Sequence, residues 1–237
     1  GQRYGWERAN WFAPPGVDVS ALANGLAAID TRARDRSSIR VVRAPGRVNL
    51  IGEHTDYNEG YVLPIAIDRA ITIALVPTDD RRVTVTLADT GDTASFDLDA
   101  IGPRAGSWID YVAGTAWALA AEGLPMHGFR GLLASDLPQN AGLSSSAALE
   151  LASVLALSGG CQPATDRMSV ARIAQRGENE YVGVACGLMD QFASSLGEDG
   201  SALLLDCRTL AYRAVPLDPT RVALIISHSG SARRLEA

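Results

Sequence analysis

Lysine is absent from this 237-residue chain, and all 21 basic residues are arginine. That excludes a Schiff-base mechanism, a P-loop of the Gly-Lys-Ser/Thr kind and the phosphate-binding lysine of protein kinases. Cysteine is scarce too. Cys161, Cys186 and Cys207 are odd in number and lack metal-ligand spacing, so they are expected to be buried small residues in a reducing cytoplasm. His54, His127 and His228 share no metal-binding motif, which argues against zinc. No apolar run is long enough to cross a bilayer, and residues 1–20 lack a basic-then-apolar signal pattern. A cytoplasmic protein without membrane partners is therefore expected. The net charge of −6 makes nucleic acid an unsuitable partner.

What is present is ordinary globular composition, 47% apolar and 20% charged. Residues 1–20 hold Trp6, Trp11, Phe12 and the turn Pro14-Pro15-Gly16, and are expected to form an extension anchored by aromatics. Apolar spacing predicts helices over 18–34, 108–122, 143–158, 167–182 and 189–196. Runs of β-branched and apolar residues predict strands over 39–43, 65–76, 82–87, 94–98, 128–135, 202–206 and 222–227. Helices and strands mix without a regular βαβ alternation, which favours an α+β fold.

Three segments carry chemistry. Gly46-Arg-Val-Asn-Leu-Ile-Gly-Glu-His-Thr-Asp-Tyr-Asn-Glu-Gly60 gathers Arg47, Glu53, His54, Asp56 and Asn58 between two apolar runs. A loop of that kind presents hydrogen-bonding groups to a small polar ligand. In Pro138-Gln-Asn-Ala-Gly-Leu-Ser-Ser-Ser-Ala-Ala148 a small-residue loop enters a helix, whose first amides and hydroxyls at 144–146 suit a phosphate. The alternative is a serine cap on an ordinary helix. No Gly-x-Ser-x-Gly elbow is present, which disfavours a serine hydrolase. Gly187-Leu-Met-Asp-Gln-Phe192 offers Asp190 either as a helix cap or as a functional carboxylate. Of Glu178 and Glu180 on the preceding helix, at most one can point into a site.

Together these segments resemble the galactokinases of the GHMP small-molecule kinase family. The likeness runs from about residue 37 to the end. It implies an α+β GHMP kinase architecture, with an N-terminal domain of the ribosomal-protein-S5-domain-2-like type and the beginning of an incomplete C-terminal α+β domain. The expected divisions are 1–36 for an extension and helix, 37–212 for the ATP- and sugar-binding domain, and 213–237 for the start of the second domain. The implied reaction is transfer of phosphate from ATP to the anomeric hydroxyl of galactose, with Mg²⁺ as cofactor. Asp190 matches the family's proton acceptor, and Arg47 the residue beside it. Glu53, His54, Thr55, Asp56 and Gly187 match the sugar site. Asn140, Ala141, Gly142, Leu143, Ser144, Ser145 and Ser146 match the ATP loop, and Trp108 the aromatic near adenine. Ser146 and Glu178 match the magnesium positions.

The sequence departs from the family pattern at Asn140, where a loop glycine is usual, although asparagine tolerates positive φ better than most residues. It also ends before the family's sugar-contacting tyrosine and third glycine-rich motif, and begins at Gly1, which suggests trimmed ends. The full-length parent is expected to be a monomeric enzyme. A kinase for another sugar, a non-catalytic sugar- and ATP-responsive regulator, and an inactive fragment remain the alternatives. The intact Glu53, Asp56 and Ser146-Ala147 weigh against the first two.

Overall fold

The computed structural model describes residues 18–138, 141–161, 163–218 and 220–227. Residues 1–17 of the extension expected over 1–20, with its aromatic anchor, and Asn140 and His228 lie outside the described residues. The chain begins with α1, Val19–Ile29, capped by Asp18, whose carboxylate accepts from the amides of Ser20 and Ala21. The helix ends five residues earlier than its spacing predicts. Asp30 and Asp35 each turn a carboxylate onto the amide two residues on, converting 31–38 into two short 3₁₀ turns.

The strands β1 (Arg40–Asn49), β2 (Tyr61–Val62), β3 (Pro64–Thr78), β4 (Arg82–Leu87), β5 (Thr93–Asp97) and β6 (Gly128–Ser135) follow, with α2 (Ile109–Ala121) between β5 and β6. One sheet has the order β1-β3-β6-β4-β5; only β4 and β6 run parallel. The long central strand β3 is covered on both faces. Its Ile71, Ile73 and Leu75 enter the main core, while Ala74 and Val76 meet Leu22 and Leu26 of α1.

The main core lies under α2, α3 (Ser145–Leu157) and α4 (Arg167–Arg176). Residues 147–157 of α3 are buried without interruption, which marks α3 as a central helix. A second, smaller sheet, β2-β7-β8, joins Tyr61–Val62 to β7 (Ser201–Asp206) and β8 (Tyr212–Pro216). It packs through Val62, Leu203 and Leu205 on Leu188, Phe192 and Leu196 of α5 and its entry, α5 spanning Met189–Leu196. A boundary drawn at 212 falls inside β8, and one drawn at 36 falls inside a 3₁₀ turn. No helix among the described residues is long and apolar enough to cross a membrane.

Three further expectations need correction. Residues 222–227 form no strand: no described strand pairs with them, and Ile225 is 92% exposed. The helix predicted over 167–182 changes character at Gly177, continuing to Val182 as a π-helix. The three cysteines are free but only half-buried.

The π-turn rests on α2 backbone against backbone. A Cβ at Gly177 would lie 2.7 Å from the carbonyl oxygen of Gly114, and one at Gly114 would lie 3.0 Å from that of Gly177. Neither atom is the end of a flexible side chain, so a methyl group forces the helices apart. Gly177→Ala is predicted to cost about 1–3 kcal/mol in urea unfolding. Gly102→Ala, where nothing lies within 4 Å, should cost under about 0.5 kcal/mol.

Candidate active site

The site is assembled where β1, the loop before α3, and α5 meet. β1 carries a register irregularity between Pro45 and Arg47. Gly46 sits in it, and a Cβ there would lie 2.5 Å from both Leu143 O and a methyl of Leu137. The missing side chain lets the loop backbone approach, and the amide of Arg47 donates to Leu143 O at 3.2 Å. The irregularity brings Arg47 beside that loop, where its Nη1 donates to Gly142 O at 2.7 Å.

The other guanidinium donors of Arg47 converge on Asp190. Nε and Nη2 both reach Oδ1, at 2.8 and 2.6 Å. Oδ2 accepts from Ser144 Oγ at 2.6 Å. Leu188, not Asp190, caps α5, and no side chain caps its amides, so the helix-cap reading of Asp190 does not hold. One turn further along the same helix face, Ser194 Oγ donates to Pro45 O at 2.7 Å and pins α5 to β1 beside the irregularity.

α3 begins directly after Ser144, and no side chain caps its first turn. The helix therefore presents unpaired amides at the mouth of the loop, beside the hydroxyls of Ser145 and Ser146. Gly142 has φ 72° and open space where a Cβ would stand. Ala141 and Leu143 form the loop walls; Leu143 is buried and belongs to the main core. Trp108 is half-buried at the head of α2, and the preceding loop is folded back so that the amides of Ala105, Gly106 and Ser107 donate to buried Asp110.

Behind the loop lies a cluster of buried acids. Glu178, in the first turn of the π-helix, is buried, whereas Glu180 is exposed and pairs with Arg176 at 3.2 Å. Glu178 accepts from the Ser146 hydroxyl. Its Oε2 also takes Cys186 Sγ at 3.1 Å and Gln191 Nε2 at 2.7 Å. Gln191 Nε2 reaches Glu150 Oε2 as well, at 3.0 Å, so one amide ties together two carboxyl groups. Burial, and then the charge of Glu178, push Glu150 well above the usual carboxylate range. Burial likewise raises Glu178, against the hydrogen bonds from Cys186 and Ser146. Burial beside these acids keeps the Cys186 thiol protonated.

Magnesium takes one or two protein oxygens and completes its shell with phosphate and water. A hydroxyl on Ser146 and a carboxylate on Glu178, already in contact at the foot of α3, are hard oxygens of that number and fit such an ion. Among the described residues no larger cluster of His, Cys, Asp and Glu is suited to a metal.

The polar loop 50–60 closes on itself. Thr55 Oγ1 lies 2.7 Å from the carbonyl oxygens of both Gly52 and Tyr61, so its hydroxyl is engaged within the turn. Glu53 is exposed and accepts from Asn49 Nδ2 at 3.0 Å. His54 is exposed at φ 62°, its Nδ1 2.6 Å from the Tyr57 hydroxyl. Asp56 reaches inward to the start of α5, where its carboxylate accepts from the Met189 amide. It passes so close to Gly187 that a Cβ there would overlap Asp56 Oδ2. Burial first, and then the negative charge of Asp190, raise its pKa.

The structure thus brings Arg47, Asp190, Gly142 and Ser144 into one hydrogen-bonded unit, with Asp56 and Gly187 on one side and Ser146 and Glu178 on the other. Gln191 and Glu150 were not singled out by sequence. Gln191 adjoins Asp190 in the same segment, but its inward direction is not visible in a one-dimensional pattern. Glu150 looks like one polar position of an ordinary helix.

Comparisons with known proteins give the family and the fold. Residues 32–77 match the galactokinase galactose-binding signature, and residues 110–198 match the GHMP kinases N terminal domain. The fold is therefore that of a GHMP kinase. A galactokinase of Roseiflexus sp. is 48% identical over 202 residues, covering 83% of this chain and 50% of the relative. One of Chloroflexus aggregans is 48% identical over 197 residues with the same shares. The solved galactokinase of Lactococcus lactis complexed with galactose is 36% identical, with a TM-score of 0.77, covering 84% of this chain and 52% of that one. A mevalonate kinase of Methanococcus jannaschii, 23% identical with a TM-score of 0.62, shares the fold. The chain belongs to the galactokinase family. It spans about half the length of the curated relatives it matches.

The raised pKa of Asp56 gives a signed prediction. A carboxyl group whose pKa rises on folding holds its proton more tightly folded than unfolded. Its stabilising contribution is present below the ordinary carboxylate value and is lost as pH rises through the raised value. In Asp56→Asn that loss is removed. The melting temperature of the variant, relative to wild type, should rise from acid to neutral pH. A difference that stays constant across a pH series of thermal melts would contradict this.

Proposed function

We propose that the full-length protein transfers phosphate from ATP to the C1 hydroxyl of D-galactose. The observation that carries this reading is the Asp190 carboxylate, held by Arg47 and Ser144 beside an uncapped helix N-terminus. A proton acceptor and a phosphate cradle are thereby joined by hydrogen bonds. The matching galactose-binding signature, and the relative solved with galactose, support the choice of sugar.

In this reading Glu53, His54 and Asp56 bind the sugar hydroxyls, while Gly187 leaves room for Asp56. Thr55 shapes the loop that presents them. Asp190 accepts the proton of the C1 hydroxyl as that oxygen bonds to the γ-phosphorus and the bond to ADP breaks. Arg47 favours the ionised carboxylate and balances charge developing on the transferred group. The amides from Ala141 to Ser146, with the Ser145 hydroxyl and Asn140, hold the phosphates, and Trp108 stacks near adenine. Ser146 and Glu178 would hold Mg²⁺, which supplies positive charge to the phosphate oxygens. We read the protein as a monomeric cytoplasmic enzyme whose partners are these small molecules, and its net charge of −6 opposes nucleic acid.

The test is ADP release by the full-length protein over a panel of sugars, beside Asp190→Asn. Galactose should outpace glucose, mannose and arabinose. The substitution keeps the size of Asp190 and removes the charge that accepts the proton. It should slow turnover by about 100- to 10,000-fold with ATP binding nearly intact. A faster sugar would overturn the substrate, and a wild-type rate in the variant would overturn the role of Asp190.

A further inference from the structure

Ser144 is unusual in both backbone and side chain. A serine before a helix ordinarily turns its hydroxyl onto the first amides. Ser144 makes no such bond, and its φ of 58° lies in the left-handed region that residues with a Cβ avoid. It is only 8% exposed, so its hydroxyl has no ready exchange with water. The conformation that a cap would not require is the one that aims Oγ at Asp190 Oδ2, 2.6 Å away. Strained residues of this kind persist where surrounding contacts hold them. Here the contacts are the neighbouring ones on Arg47: its amide donates to Leu143 O, and its Nη1 to Gly142 O.

We propose that Ser144 is a positioning residue for the proton acceptor, its left-handed backbone holding the hydroxyl on Asp190 so that the phosphate loop and the carboxylate are set as one unit. The family resemblance assigns this serine to the nucleotide loop; the geometry assigns its hydroxyl to the carboxylate. Three successive loop residues, 142 to 144, bind the Arg47–Asp190 pair. A loop out of place therefore leaves Asp190 without its Oδ2 partner and Arg47 without its Nη1 partner. Phosphate seating and orientation of the acceptor become one event. The proposal rests on Asp190 being that acceptor.

Two substitutions in the full-length protein separate hydroxyl from backbone. Ser144→Ala removes the hydroxyl and keeps the strained backbone; Ser144→Gly removes both. Each should lower kcat by about 10- to 100-fold, the scale of a misplaced catalytic group, with KM for ATP little changed. Ser144→Gly should nevertheless melt at or above the wild-type temperature, because glycine adopts this φ without strain. Gain of stability with loss of turnover is not what a merely structural residue shows. In an Asp190→Asn background, Ser144→Ala should cause no further loss. A wild-type kcat in Ser144→Gly would overturn the proposal, as would a loss confined to KM for ATP, which would return the hydroxyl to the nucleotide. If Asp190→Asn alone keeps its rate, the reading of Asp190 fails. If it is slow while Ser144→Gly is not, only the role of Ser144 fails.

Discussion

A carboxylate and a guanidinium taken out of water lose hydration that their attraction offsets only if every remaining hydrogen-bonding position is met. Asp190 and Arg47, 26% and 13% exposed, satisfy that condition by drawing in the backbone around them. Two Arg47 donors meet Oδ1, Ser144 meets Oδ2, and the remaining nitrogen of Arg47 meets Gly142 O. Much of the local architecture follows from keeping those atoms in place. The irregularity in β1 needs Gly46, because the loop passes where a side chain would be. α5 is fixed to the same strand through Ser194 and Pro45. The loop before α3 accepts a left-handed serine.

A second tension lies one layer deeper. Glu150 and Glu178 are buried together and linked by the single amide of Gln191, with two oxygens, Glu150 Oε1 and Gln191 Oε1, left without a hydrogen-bond partner among the described residues. A core designed only for stability would carry apolar side chains there. The π-turn that brings Glu178 inward, held on α2 by the Gly114–Gly177 contact, is a local departure from regular helix often found at functional positions. Both features make sense if hard oxygens are needed beneath the loop before α3. Asp56 carries a similar tension, being partly buried near another carboxylate.

Most of the fold was legible in the sequence because its elements announce themselves by local rules. β4, β6 and α5 have the bounds that alternation, helical spacing and flanking glycines predict. Failures came where partners decide the outcome. The two-residue β2 exists only because β7 lies beside it, and β8 pairs with β7 although its own pattern is weak. Residues 222–227 have strand-forming side chains but no described strand to pair with. At the site, residue types drew attention to Asp190 and Arg47, but gave no sign of their atom-by-atom pairing. A run of three serines gives no sign that the first turns towards a carboxylate and the third towards Glu178. Nor could spacing show that the Thr55 hydroxyl closes its own turn.

The claim that Arg47 and Asp190 work as a pair is tested most directly by a double-mutant cycle on turnover in the full-length protein. Arg47→Met, Asp190→Asn and the double variant would be compared by kcat, with nucleotide affinity measured separately. Side chains in direct contact that act as a unit give strongly non-additive effects. The double variant is therefore expected to be about as slow as the slower single variant. Losses that simply multiply would show two independent residues, and would contradict the account.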